Sequence, residues 1–475
     1  VSEILKIISP VDGTLYRESR FSTDADAEGT LASALQAAGS WKDYSVSDRV
    51  GILDAFVEAF IARSDDLARM TAWQIGRPLA KSDETGDLHY LYEYYKSTLP
   101  EFGAEVLLAG SADERRFARR EPCGVNLSIC AWNYPVVMLS SLILAPLLTG
   151  NIVIFKHAPQ TAHISAVINE AARVAGLPEG VLQALDLTNA QCAKMLASGS
   201  IDLVNFVGSS RGGHEVRQAS AAQFIREIFE LGGKDAAYVM ADADIAISAS
   251  ELVRASFSNS GQSCCSVERI YVHDAVYDKF LDQFVAAARR WTIGHPVDEV
   301  VELGPVINAA AARRIEAEVA QALQAGARDI LGCPTPDVSN PDAYVTPKVL
   351  IGVDHSMLIM RAETFGPIAP IMRVRSDEDA VALMNDTEYG LTSSVWTNDI
   401  DRGLALGQRI NTGNFYVNQA DYVDEHLPWG GIKASGLGRT DGFSWVESLT
   451  RTKGYYARRL VQPAAAIPLD ALADR

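Results

Sequence analysis

Short, continuous apolar runs alternate with amphipathic stretches along most of the chain. "NIVIFK" (151–156) is a short continuous apolar run, as in a strand buried on both faces, and "IDLVNFVG" (201–208), "AAYVM" (236–240) and "SSVWT" (393–397) also predict strands. "VLQALDL" (181–187), "RIYVH" (269–273) and "APIMRVR" (369–375) predict further strands. Between them, "HISAVINEAARVAG" (163–176), the segment around "AISASELVRASFSN" (246–259), "VYDKFLDQFVAAARRW" (276–291) and "DEDAVALMN" (377–385) place apolar residues three and four apart. These predict helices, the first closing on Gly176. Strands that alternate with helices predict parallel sheets with crossover helices, an α/β protein, with a break between two such units near Gly232-Gly233.

Four regions depart from that rhythm. From about residue 40 to 97 the pattern is helical, with one segment closing on Gly76. "YPVVMLSSLILAPLLTG" (134–150) reads as a buried core helix: it falls short of the roughly 20 residues that span a bilayer, and Ser140, Ser141 and Pro146 interrupt it. "EVLLAGSADERRFARREP" (105–122) predicts two strands around a polar turn, and "RTKGYYARRL" (451–460) another strand with no helix partner. Strands outside the main sheets either pair across a subunit interface or form a solvated hairpin.

Length and composition narrow the classes. A chain of 475 residues predicts two large domains. Its 48% hydrophobic and 21% charged residues are those of a globular protein, and a formal net charge of −18 argues against nucleic acid or an anionic membrane as partner. Val1–Ser9 is strand-like and carries no basic leader with a small-residue cleavage site. Six cysteines in so long a chain do not make a disulfide framework, so a reducing, cytoplasmic compartment is expected. The alanine-rich "PAAAIPLDALADR" from Pro463 is expected to be a loosely held tail.

Five segments carry candidate chemistry. "NSGQSCCSVER" (259–269) sets two cysteines in a small, polar helix-to-strand turn, where a thiolate has room to meet a substrate. Local sequence does not choose between Cys264 and Cys265, and either is equally a small core residue. In "FELGGKDAAYV", Glu230 ends an apolar run before Gly232-Gly233. Burial there would lift its carboxyl toward that of a general base, unless it pairs with Lys234 or an arginine. Asn133 in "CAWNYP" is either an amide donor to a developing oxyanion or a turn asparagine bonded to its own backbone. "FVGSSRGGHEV" puts Gly208 at a strand end and Gly212-Gly213 at the start of a helix, the turn that aims N–H groups at a phosphate. Lys156, at the end of "NIVIFK", is a ribose or phosphate ligand or a solvated strand end.

Taken together and in order, these segments resemble the NAD(P)-dependent aldehyde dehydrogenase superfamily of the hydrolytic, non-CoA-acylating type over about residues 5 to 460. "EPCGVNLSICAWNYP", "TGNIVIFKHAP", "GLPEGV", "FVGSSRGG", "FELGGK", "FSNSGQSC", "AETFGPI", "NDTEYGLTSSVWT" and "LPWGGIKASGLGR" carry the resemblance. It implies an aldehyde dehydrogenase-like α/β fold: a Rossmann-type cofactor domain (1–104 and 123–232), an α/β catalytic domain (233–440) and a small β oligomerisation element (105–122 and 450–462), with 463–475 as tail. It implies a homodimer or homotetramer with no metal, acting on a small-molecule aldehyde. Cys264 takes the nucleophile's position, Asn133 that of the oxyanion donor beside the Cys264 N–H, and Glu230 that of the general base. Trp132, Lys156, Pro159, Gly208, Ser209, Gly212, Leu231, Glu363 and Phe365 take cofactor positions. Tyr134, Met138, Ser141, Ser263, Cys265, Val423 and His426 fall on the substrate pocket.

Two departures bear on specificity. Pro159 stands where NAD-preferring relatives often carry a glutamate that grips the ribose hydroxyls, so the resemblance implies NAD or NADP, with NAD favoured. Ser141 stands where many relatives place a bulky aromatic, which implies a roomier pocket. The intact Glu230 favours hydrolysis over the alternative of a CoA-acylating semialdehyde dehydrogenase. Together with Asn133 and Cys264 it argues against a catalytically silent structural member.

Overall fold

The computed structural model describes residues 3–460 except 104 and 112, so the expected tail from Pro463 lies outside the described residues. Among these the strands form four sheets. A six-stranded sheet has the order Gly436–Leu437, Arg226–Glu230, Leu203–Val207, Val125–Ile129, Ile152–Lys156, Leu182–Ala184, parallel except for the first pair. A seven-stranded sheet runs Arg328–Asp329, Lys348–Ile351, Ile368–Val374, Val267–His273, Asp235–Val239, Thr392–Trp396, Asn414–Val417, parallel except at its first pair. The alternation read from the apolar runs is this pair of doubly wound sheets.

Burial explains why those runs are apolar at successive positions. In Asp235–Val239, Ala236 and Tyr238 pack into one core while Ala237 and Val239 pack into another on the opposite face. The first sheet's last long strand ends at Glu230 and the second sheet's first strand starts at Asp235, with Gly232-Gly233 between. One strand inside 233–440, Gly436–Leu437, returns to pair with Phe229 and Glu230 of the first sheet.

The stray strands find one another. Thr450–Arg458, Glu114–Pro122 and Val106–Gly110 form a three-stranded antiparallel sheet, with Phe117 stacked on Tyr455 at 4.6 Å. Two expectations need correction. The helical region opens earlier than residue 40, with Asp24–Trp41, which Thr23 caps through the N–H of Asp26. Its buried stripe is Ala27, Thr30, Ala34, Ala37 and Trp41, mostly too small to stand out as an apolar period. The expected helix over 134–150 is only a π-turn, Ser140–Leu144, followed by Ala145–Leu148. Residues 134–138 are bends and turns instead, and the N–H groups of Val136 and Val137 donate to the Glu84 carboxylate. The segment is buried as expected, and no helix among the described residues is long and apolar enough to cross a membrane.

Candidate active site

The carboxyl ends of the six-stranded sheet face the amino ends of the seven-stranded one. The first edge delivers Trp132 and Asn133 after Val125–Ile129, Lys156 at its own strand end, Gly208 and Ser209 after Leu203–Val207, and Glu230. The second delivers Cys264, ahead of Val267–His273. Val125–Ile129 and Leu203–Val207 are neighbours whose following segments leave in opposite directions across the sheet, the switch point where such folds open a crevice.

A tight reversal builds the cysteine turn. Helix Ile245–Phe257 stops, and Asn259, Ser260 and Gly261 take positive φ of 53°, 55° and 72°. A side chain on Gly261 would overlap the main chain of Gly366. Asn133 does not close on its own backbone: its Nδ2 donates to the Gln262 carbonyl at 3.2 Å, two residues before Cys264. Asn259 Nδ2 donates to both the Asn133 and Gln262 carbonyls at 3.2 Å. Behind them the buried pair Arg77–Glu84 (2.5 Å) closes the frame. Arg77 donates to Asn259 Oδ1 at 3.1 Å and to the Asn133 carbonyl, and Glu84 accepts from Val136 and Val137 at 2.9 and 2.8 Å. Sequence reasoning missed this pair, which stands among other charges in "GRPLAKSDETGD" (76–87) with nothing local to mark it.

The structure separates the cysteine doublet. Cys265 is buried, and its thiol lies 3.3 Å from the Asp421 carboxylate, which also accepts from Ser263 Oγ at 2.8 Å. A hydrogen bond with Cys264, burial and Asp421 all push the Cys265 thiol well above its ordinary value. Cys264 is only half-buried.

Glu230 is buried and its Oε1 accepts no hydrogen bond. Burial pushes its carboxyl well above the usual range, with Cys264 and Asp441 adding to the rise and Arg439 opposing it. It forms no ion pair with Lys234, whose Nζ is fully enclosed with Glu268 at 2.6 Å and Thr364 Oγ1 at 3.1 Å. Glu268 also accepts from the N–H groups of Thr364 and Phe365 at 2.8 and 2.7 Å. That fixes the positive-φ turn at Phe365, whose ring meets Trp132 edge-on at 5.6 Å. Gly232-Gly233 is the junction. A Cβ on Gly232 would strike the Glu363 carboxylate, and one on Gly233 would overlap the Cys264 carbonyl oxygen. Glu363 accepts from the Gly233 N–H at 2.9 Å and is pushed up to about 7, mainly by burial and also by Glu268.

Glu268→Gln leaves the Lys234 ammonium buried without its counter-charge. It is expected to destabilise the fold by about 3 kcal/mol, read as a lower urea midpoint. An unchanged midpoint would mean that the pair does not hold this junction.

The remaining expected positions divide. Lys156 is not a solvated strand end: it is buried, donates to the His157 carbonyl at 3.2 Å, and burial lowers its pKa against the opposing effects of Cys192 and Asp186. Ser209 caps helix Ser210–Ser220 by accepting from the Gly212 N–H, and Leu231 packs on Gly213 at that helix's first turn. Pro159 is exposed at the turn after Lys156. The kinds of group that a dinucleotide needs stand at this edge: the N-terminus of helix Ser210–Ser220, the buried Lys156 ammonium and the Glu363 carboxylate. On the pocket side, Tyr134 stacks under Arg77 at 4.3 Å, and Ser263 and Cys265 line the turn. Met138 is half-buried, and Ser141 borders a small cavity with Tyr95 and Asp441. Val423 and His426 are exposed, with His426 paired to Glu425 (2.8 Å) and against Tyr94. From that loop it is Asp421, which sequence reasoning missed, that touches the cysteine turn.

Known proteins resemble this chain in sequence and in fold. The family model described as "Aldehyde dehydrogenase family" matches residues 2–455. A vanillin dehydrogenase of Pseudomonas fluorescens is 31% identical over 94% of this chain and 92% of its own. An NADP-linked succinate-semialdehyde dehydrogenase of Escherichia coli is 28% identical over 95% and 94%. A solved indole-3-acetaldehyde dehydrogenase in complex with NAD+ superposes with a TM-score of 0.92 at 27% identity, over 96% of this chain and 94% of that one.

Proposed function

The chain belongs to the aldehyde dehydrogenase family, and from that membership we propose that it oxidises an aldehyde to the carboxylic acid with NAD or NADP through a thioester on Cys264. The observation that carries this reading is the convergence at one seam of a half-buried thiol, an uncharged-leaning buried carboxyl and an amide anchored to the cysteine turn.

Each group has a step. The Cys264 sulfur, as thiolate, adds to the aldehyde carbon, and the carbonyl oxygen takes the negative charge. The Asn133 amide and the Cys264 N–H are the donors for that oxyanion. Bound NAD or NADP supplies the acceptor for the hydride that the tetrahedral carbon expels, which leaves the acyl group on sulfur. Glu230, as carboxylate, takes a proton from water, the hydroxide equivalent adds to the thioester, and the C–S bond breaks to return the Cys264 thiolate and release the acid. A carboxyl raised by burial is a stronger base than an exposed one, which suits this step. Lys156, Trp132, Gly208, Ser209, Gly212, Leu231, Glu363 and Phe365 form the wall of the dinucleotide crevice, and Tyr134, Met138, Ser141, Ser263 and Cys265 that of the aldehyde pocket.

The first sheet is the cofactor unit and the second the catalytic unit. The three-stranded sheet is the oligomerisation element of a homodimer or homotetramer: its edge strand Val106–Gly110 exposes Val106, Leu107 and Leu108, an apolar edge suited to pairing with another copy. A panel of aliphatic, aromatic and carboxylate-bearing aldehydes, read as reduced cofactor and as acid product without CoA, tests the function. Turnover only when CoA is supplied would overturn hydrolysis, and no turnover of any aldehyde with either cofactor would overturn the reading.

A further inference from the structure

Pro159 offers no polar group to a ribose, so the choice between NAD and NADP must rest on another side chain. The described residues supply one. Leu182–Ala184 is the edge strand beside Ile152–Lys156, paired in parallel from Val153–Leu182 to Phe155–Ala184. The Leu185 N–H continues the ladder to the Phe155 carbonyl at 2.9 Å, so the chain emerges at the level of Lys156 and the next residue is Asp186. The two side chains feel each other: Asp186 favours the charged form of Lys156, and Lys156 that of Asp186, against the burial that opposes both.

Asp186 also lines a cleft of about 270 Å³, set between the hairpin strand Leu15–Arg20, the start of helix Ile164–Val174 and this strand end. Its main-chain carbonyl accepts from Ser22, which fixes the backbone. Its Oδ1 is buried and accepts no hydrogen bond, so the carboxylate has unused acceptor capacity. Across the cleft Arg17 bonds His163 Nε2 at 2.6 Å, and Arg17 is the strongest of the cations acting on Asp186.

We propose that Asp186 selects NAD over NADP, its carboxylate accepting from the adenosine ribose hydroxyls and repelling a 2′-phosphate at that position. The proposal rests on the reading that Lys156 lies at the adenosine ribose. A vicinal diol donates well to one carboxylate, whereas a phosphate brings one and a half to two negative charges against it. Such a device sets specificity by repulsion as much as by attraction. It also has a signature that simple damage lacks. Without the carboxylate, the two cations that act on Asp186, Arg17 and Lys156, remain and favour a phosphate. Asp186→Asn therefore gains affinity for NADP instead of merely losing it for NAD.

Dissociation constants for NAD and NADP, measured by titration calorimetry on the full chain, test this without turnover. The unaltered protein is expected to bind NAD about 10-fold tighter than NADP, and Asp186→Asn to erase or invert that ratio, chiefly by binding NADP more tightly. Asp186→Ser serves the same purpose should the asparagine variant melt early. Unaltered protein that favours NADP, or variants that weaken both cofactors equally, would overturn the proposal. Lys156→Met separates the two layers. If it weakens both cofactors while the Asp186 variants leave the ratio unchanged, only the selectivity proposal fails. If it leaves both affinities unchanged, the ribose is not at this strand end and the underlying reading fails too.

Discussion

Cys264→Ala is expected to lower aldehyde oxidation by roughly 10⁴-fold or more while dinucleotide binding stays intact. Removing a nucleophile removes the covalent route, and what is left is the weak advantage of binding aldehyde beside cofactor. The adjacent thiol does not rescue it. Cys265 is buried, and its thiol faces the Asp421 carboxylate, which disfavours a second negative charge. Cys265→Ser, which keeps a small polar group beside Asp421, is accordingly expected to retain activity within about tenfold. The two variants, compared by steady-state rates and by calorimetric titration of the cofactor, assign the doublet. Equal losses in both would mean that the turn, and not one sulfur, had been damaged.

Glu230→Gln separates the two halves of the reaction. The amide keeps the shape of the carboxyl but takes no proton, so steady-state turnover is expected to fall by about 10³-fold. Hydride transfer precedes the need for a base, and rapid mixing should still show a burst of reduced cofactor approaching one equivalent per active site. The unaltered enzyme has a matching pH signature. Because burial, Cys264 and Asp441 hold the Glu230 carboxyl well above its ordinary value, the base form accumulates only as pH rises. Hydrolysis-limited turnover should therefore increase with pH through that raised value, and the limb should vanish in Glu230→Gln. A variant that loses burst and turnover together would place Glu230 outside the hydrolytic step.

The sequence was most readable where burial acts on contiguous residues. "AAYVM" and "NIVIFK" are apolar at successive positions because both faces of their strands are covered, and Glu230 stands out as the charge that ends such a run. Gly76 marks a helix end because its φ of 82° suits glycine. Features made by residues far apart in the chain were not readable. Lys234 and Glu268 each look like a surface charge beside a motif, and only the fold encloses them together. Arg77 and Glu84 hide in the same way. Asp421 and Asp186 sit in connections, where acidic residues are ordinarily solvated, and nothing local shows that one touches the cysteine turn and the other lines a cleft. The segment 134–150 misled for a different reason: its apolar content reports burial, and burial alone does not distinguish a long helix from turns whose N–H groups bond Glu84.

The central claim is a covalent acyl group on one sulfur. Incubating Glu230→Gln with an aldehyde from the panel and oxidised cofactor, quenching in acid and mapping the peptide that contains both cysteines by mass spectrometry tests it directly. The account predicts one acyl group, equal in mass to the aldehyde less one hydrogen atom and replacing the thiol hydrogen, on Cys264 and absent when cofactor is omitted. An acyl group on Cys265, or an unmodified peptide after a full burst of reduced cofactor, would contradict it.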